Sequence, residues 1–239
     1  MDKLLVALDV ETGQRALDLA STLEGVAGGF KIGSRLFTRE GPDLVRTLGM
    51  SGARVFLDLK FHDIPNTVAQ AVDAAVHTGA WMINVHASGG MAMMEAASRA
   101  SREAAQRLRQ TPPLLIAVTV LTSMDEAGLR DGGIQRSLLD HVVALARMAQ
   151  AAGLDGVVAS PAETASIRKA CGDRFTIVTP GIRGGSAGIE RNDQVRTMGP
   201  AEAIQAGASY VVVGRPIIGA PDPRAAAEAI AAELGRDGH

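Results

Sequence analysis

Cysteine is almost absent: Cys171 is the single one in 239 residues. One thiol cannot close an internal disulfide, so the fold must rest on its core, and the count points to a reducing compartment. Cys171 itself reads as a small buried hydrophobe or an inert surface thiol. Aromatic residues are scarce too, at 3% with one Trp and one Tyr, while hydrophobic residues make up 46%. A core of Ala, Val, Leu and Ile is what helix-covered parallel sheets use. There is no surplus of positive charge: the net charge is -2 and the pI ≈ 6.2. That argues against nucleic acid as the main partner, because nothing would neutralise a phosphate backbone. No uninterrupted apolar run approaches the roughly 18 residues of a membrane span. The start, "MDKLLVALDV", runs straight into a strand-like segment. These absences lead to the expectation of a soluble cytoplasmic protein. With no low-complexity linker and no shift in composition, the expectation is one domain over residues 1–239.

What is present is a rhythm. Short apolar runs recur at "LLVALDV" (4–10), "GFKIG" (29–33), "RVFLDLK" (54–60), "WMINVHA" (81–87), "LLIAVTVL" (114–121), "DGVVAS" (155–160), "FTIVTPG" (175–181) and "YVVVGR" (210–215). Between them lie Ala-rich stretches with helical spacing, such as "TVAQAVDAAVHTG" and "SLLDHVVALARMAQAAG". Eightfold alternation of strand and helix predicts the α/β class and a closed (β/α)8 TIM barrel. A weak repeat agrees: Gly52-Ala53, Gly79-Ala80 and Gly207-Ala208, with Gly153-Leu154 as a variant, each precede a strand, so each Gly reads as a helix stop. The segment "DEAGLRDGGIQRS" (125–137) is the best loop candidate. Pro65 suits the first turn of a helix.

The third run ends in charge, as "VFLDLKFHDIPNTV", with Asp58, Lys60 and Asp63 in six residues. Strand side chains alternate faces, so Phe56, Asp58 and Lys60 share one side and Val55, Leu57 and Leu59 the other. The apolar set should face the helices. Asp58 and Lys60 then point inward at the C-terminal end of the third strand, where barrels of this kind place their active sites. Asp9, Lys31, His86, Thr122, Arg183 and Arg215 fall at or just after the ends of other strands, and those ends converge in space. A plain ion pair closing the barrel mouth is the competing reading of Asp58 and Lys60. Lys31 on the neighbouring strand favours function, because like charges about 4 Å apart repel by roughly 4 kcal/mol at moderate dielectric.

A second constellation joins "TPGIR" (179–183) to "VVVGRP" (211–216). Gly181 and Gly214 allow close backbone approach, and Arg183 and Arg215 offer forked donors to phosphate oxygens, at the two loops where such barrels often bind phosphate. "GGSAGIERNDQ" (184–194) has the content of a lid.

The motifs "ALD" (7–9), "FKIG" (30–33), "DLKFHDIPNT" (58–67), "VTVLTS" (118–123), "TPGIR" (179–183), "NDQ" (192–194) and "VVVGRP" (211–216) resemble, in order, those of the orotidine 5'-phosphate decarboxylases. The resemblance implies a barrel homodimer that converts orotidine 5'-monophosphate to UMP and carbon dioxide, the last step of de novo pyrimidine synthesis, with no metal or organic cofactor. It implies that Lys60 gives a proton to carbon 6 of the pyrimidine, that Asp58 lies beside the departing carboxylate, and that Lys31 and Asp63 complete the array. Asp63 and Thr67 would come from the other subunit. Asp9 and Lys31 would bind ribose hydroxyls, Thr122 and Ser123 the pyrimidine region, and Gln194, Arg183 and Arg215 the phosphate, with Pro180 and Gly214 around them.

Two other readings compete. A related barrel decarboxylase acting on a sugar-acid phosphate also carries D-x-K-x-x-D but uses magnesium to hold an enediolate. A catalytically idle phosphate-binding barrel is the second, against which the intact Asp58, Lys60 and Asp63 speak. His62 reads as a solvated or packing residue, His86 as a neighbour of the site at best, and Trp81 as a packing residue.

Overall fold

The computed structural model describes residues 2–180 and 199–235. Eight strands alternate with helices along the chain: β1 (Leu4–Ala7), β2 (Gly29–Gly33), β3 (Val55–Phe61), β4 (Met82–His86), β5 (Leu114–Val118), β6 (Gly156–Val158), β7 (Thr176–Thr179) and β8 (Tyr210–Val213). Around them run α1 (Gly13–Thr22), α2 (Ser34–Glu40), α3 (Pro42–Met50), α4 (Pro65–Val76), α5 (Met91–Leu108), α6 (Glu126–Asp131), α7 (Leu138–Ala151), α8 (Thr164–Cys171), α9 (Pro200–Gln205), α10 (Arg215–Ile218) and α11 (Pro223–Gly235). All eight strands are parallel and neighbours in sequence pair; β8 returns to β1 with Val213 opposite Val6, closing the barrel. This is the expected (β/α)8 barrel.

Alternation along the strands builds two apolar layers. Leu5, Ala7, Phe56, Met82, Ile116, Val178 and Val212 point inward and fill the lower barrel. Val6, Ile32, Val55, Leu57, Ile83, Val85 and Val211 face outward into the larger core shared with the helices. Each such side chain contributes roughly 1.5–3 kcal/mol on burial. Trp81 closes the bottom of the inner layer, edge-on to Tyr210 at 5.2 Å and beneath the Arg54 guanidinium at 4.8 Å, so it packs as expected. Cys171 is buried at the end of α8, and burial pushes its thiol pKa up.

Local signals set the helix ends. Thr12 accepts the Arg15 N–H and Ser137 the Asp140 N–H, each satisfying a free donor of a first turn. Pro65 occupies the first turn of α4, where its missing N–H is no loss. Gly52, Gly79, Gly153 and Gly207 all have positive φ, between +76° and +104°, which accounts for the Gly repeat as helix stops. Two boundaries differ from expectation. The segment 125–137 is not all loop: Asp125 accepts the Gly128 N–H and starts α6. The eighth strand ends at Val213 rather than at Arg215, since Gly214 turns the backbone and Arg215 opens α10. No helix among the described residues is long and apolar enough to cross a membrane.

Candidate active site

Above the apolar filling of the barrel, the inward positions turn polar. Asp58, two residues beyond Phe56 on β3, is 9% exposed. Its Oδ1 lies 2.7 Å from Lys60 Nζ, and its Oδ2 lies 3.4 Å from Lys31 Nζ on β2. Lys31 Nζ also meets Asp9 Oδ1 at 3.2 Å, from the segment following β1. The result is a chain of alternating charge, Asp9, Lys31, Asp58, Lys60, across three adjacent strand ends. Burial alone would raise the pKa of Asp58. The Lys31 and Lys60 ammoniums, with hydrogen bonds from Lys60 and Asn84, outweigh it and hold the carboxyl below its ordinary value.

Lys60 reaches this position through unusual backbone. Its φ is +54°, a left-handed conformation that costs a non-glycine residue about 1–2 kcal/mol. The pairing of β3 with β4 is irregular at the same place: Leu57 stands opposite Ile83, yet Phe61 stands opposite Val85, so four residues of β3 face two of β4. Such strain persists only where the surroundings impose it, and it concentrates at sites of function.

The remaining expected residues separate into three groups. Thr122 and Ser123 lie in the turn between β5 and α6, Pro180 follows β7, and Gly214 and Arg215 follow β8, all on the same end of the barrel. Gly214 is close to that chain of charge: a Cβ there would lie 3.4 Å from Ala7 Cβ and 3.7 Å from Asp9 Oδ2. Asp63 and Thr67 do not join the charged cluster. Asp63 is exposed, its Oδ1 accepts the Ile64 N–H at 2.6 Å, and among the described residues its carboxylate has no ion pair. Thr67 is exposed in the first turn of α4. Arg183 and Gln194 lie outside the described residues, as do Gly181 and the expected lid at 184–194.

Two features escaped the motif reading. Asn84, with no exposed surface, donates from Nδ2 to Asp58 Oδ1 at 2.6 Å and accepts the Lys60 backbone N–H at 2.7 Å. Alternation would have found it: Met82 faces the barrel interior, so Asn84, two residues on, is a polar residue at an inward position. Gly33 is the second. A Cβ there would come within 3.1 Å of Lys31 Nζ, so the bare backbone leaves the ammonium its place. His86, at the end of β4, stacks on His62 at 5.4 Å. Burial lowers its pKa, helped by His62 and Lys60 and opposed by Asp58.

Residues 2–230 match the model of the orotidine 5'-phosphate decarboxylase / HUMPS family. The chain belongs to that family. A relative from Moorella thermoacetica named orotidine 5'-phosphate decarboxylase is 55% identical over 234 residues, covering 98% of this chain and 92% of the relative. One of the same name from Syntrophotalea carbinolica is 53% identical, covering 97% and 94%. Among crystal structures, orotidine 5'-phosphate decarboxylase from Lactobacillus acidophilus superimposes with a TM-score of 0.85 at 36% identity, over 98% of this chain and 99% of that one. An uncharacterized conserved protein from Geobacillus kaustophilus gives 0.83 at 38% identity, over 97% and 99%. Family membership thus joins an independent geometric fact: the D-x-K-x-x-D strand carries a buried carboxylate, Asp58, at the barrel mouth, within reach of two ammoniums.

Proposed function

We propose that this enzyme is an orotidine 5'-phosphate decarboxylase of the pyrimidine pathway, working without metal or organic cofactor and with Lys60 as proton donor. One observation carries the reading: a buried carboxylate, Asp58, held between two ammoniums, Lys60 at 2.7 Å and Lys31 at 3.4 Å. Breaking the bond between carbon 6 and the carboxyl group releases carbon dioxide and leaves an electron pair on carbon 6. The ring delocalises that pair poorly, so catalysis must come from fixed charge near it. The Lys60 ammonium favours the developing carbanion and transfers its proton to carbon 6; the amine then regains a proton from solvent. Asp58, beside the departing carboxylate, favours its loss.

Binding follows the same map. Asp9 and Lys31 take ribose hydroxyls, Thr122 and Ser123 the pyrimidine, and Arg215 with Gly214 and Pro180 the phosphate, joined by Arg183 and Gln194. Phosphate contacts far from carbon 6 supply binding energy that orders the reacting end.

The site is completed by a second copy of the chain, which lends Asp63 and Thr67. In support, Asp63 stands outside its own chain's charged cluster, next to Ile64, a large apolar side chain 66% exposed. Met91 and Leu121 are also exposed, and all three follow the C-terminal ends of consecutive strands, β3, β4 and β5. Exposed apolar side chains on the working face of a barrel are what a partner subunit covers.

The test is the loss of ultraviolet absorbance by orotidine 5'-monophosphate in the presence of a chelator. Wild type turns over there, and Lys60→Ala, still folded by circular dichroism, does not. Turnover that requires added magnesium would favour the sugar-acid phosphate reading; near-normal turnover by Lys60→Ala would remove the proton-donor role. Among the described residues no group of three or more His, Cys, Asp or Glu side chains is gathered to hold a metal ion.

A further inference from the structure

We infer that Asn84 is a positioning residue that fixes both partners of the catalytic ion pair, the backbone of Lys60 and the carboxylate of Asp58. The inference rests on the decarboxylase reading above. Asn84 stands on β4 with no exposed surface, so both ends of its amide need partners within the protein. Oδ1 accepts the backbone N–H of Lys60 at 2.7 Å and Nδ2 donates to Asp58 Oδ1 at 2.6 Å. The orientation of the amide is forced: flipped, its NH2 would face the Lys60 N–H and its carbonyl would face a carboxylate.

The location gives the bond its effect. Lys60 has φ +54° at the place where β3 and β4 fall out of register. A side-chain carbonyl projecting from β4 meets the N–H that the irregular backbone presents, and so holds Lys60 in the conformation that turns its side chain back onto Asp58. The other end of the same amide fixes which way the Asp58 carboxylate points. One side chain thereby sets the separation of the donor ammonium from the carboxylate. Leucine matches its size without either bond, serine is too short to span both partners, and aspartate matches its shape but adds a charge against Asp58.

That last difference supplies the test. Asn84→Ala should lower kcat by about tenfold to a hundredfold, the penalty of a misplaced reacting group, while the dissociation constant of UMP moves less than about threefold. Asn84→Asp keeps the acceptor for Lys60. Protonated, the introduced carboxyl also donates to Asp58 as the amide does; ionised, it repels it. Its kcat should therefore approach wild type at the acid end of the accessible range and fall as pH rises. The charged and titratable groups nearby are Asp58 and Lys60 on β3, Lys31 on β2, His86 on β4 and His62. A wild-type profile measured alongside carries their titration, so the difference between the two profiles isolates the introduced group. Asn84→Ala with kcat within twofold of wild type, or an Asn84→Asp profile parallel to wild type, would overturn the inference. Should the truncation fail to fold, the isosteric Asn84→Asp carries the test alone. Lys60→Ala is run in parallel: retained activity there removes the reading beneath, whereas lost activity there with an unaffected Asn84→Ala overturns the role of Asn84 only.

Discussion

A mixed dimer gives the most demanding test of the shared site. Lys60 belongs to the charged cluster of its own chain, while Asp63 stands exposed outside it. If each site combines Lys60 of one chain with Asp63 of the other, then Lys60→Ala and Asp63→Ala are each inactive as homodimers, since every site carries one defect. Unfolded together and refolded at equal concentration, they pair at random and about half of the dimers are mixed. In a mixed dimer one site collects both defects and the other collects none. Half the dimers with one good site in two gives about a quarter of wild-type activity, provided the sites act independently. Two different affinity tags allow the heterodimer to be purified, and its activity per dimer should then be about half of wild type. Heterodimers without activity would refute the shared site, because a site built by one chain alone carries one defect wherever it sits. The decarboxylase assignment would survive that outcome on its other residues.

Arg215→Ala should weaken UMP binding at least about tenfold while leaving uridine binding nearly unchanged, because the proposed contact is to phosphate alone; isothermal titration with both ligands checks it, and equal losses would remove Arg215 from that role. Asp58 gives a pH prediction. Its pKa is depressed in the folded state, so the stability it contributes is present above the unfolded value of about 4 and is lost as pH falls through the folded one. Urea unfolding should show wild type losing stability relative to Asp58→Asn as pH drops below about 4, and parallel curves for the two proteins would contradict it.

Much of this was legible in the sequence because two periods, strand and helix, are written plainly into an aromatic-poor core. All eight runs became strands, and the inward placement of Asp58 followed from alternation with Phe56. Asp63 was marked by its motif, and the structure places it exposed, outside the charged cluster of its own chain. Lys60 shows the limit. Simple alternation brought it to the right face, yet its left-handed backbone and the irregular pairing with β4 depend on a neighbour 24 residues away. No local pattern announces that contact. Asn84 was hidden for the complementary reason: it sits in "WMINVHA", a run whose apolar content reads as strand core, and its meaning comes from Asp58 and Lys60 across the ladder. The early end of β8 came from Gly214 and the helix start at Arg215, a turn overlooked within a valine-rich run.

The closure of the barrel has a kinetic consequence. Seven of the eight strand interfaces join elements adjacent in sequence, so each closes a modest loop and can form as soon as its second strand is present. The eighth, between β1 and β8, joins the ends of the chain: Val6 must find Val213, and Arg224 of α11 must reach the carbonyls of Thr22 and Glu24. Loop-closure entropy grows only logarithmically with length, so this seam is late rather than prohibitively costly. During synthesis the charged strands β2 and β3 can therefore pair long before Gly214 and Arg215 emerge. A nascent chain would assemble the Lys31, Asp58 and Lys60 cluster early and gain the loop proposed to bind phosphate only when the ring shuts. Affinity for a phosphate-bearing ligand would then report completion of the seam, and a pulse of hydrogen exchange during refolding should find β8 among the last strands protected.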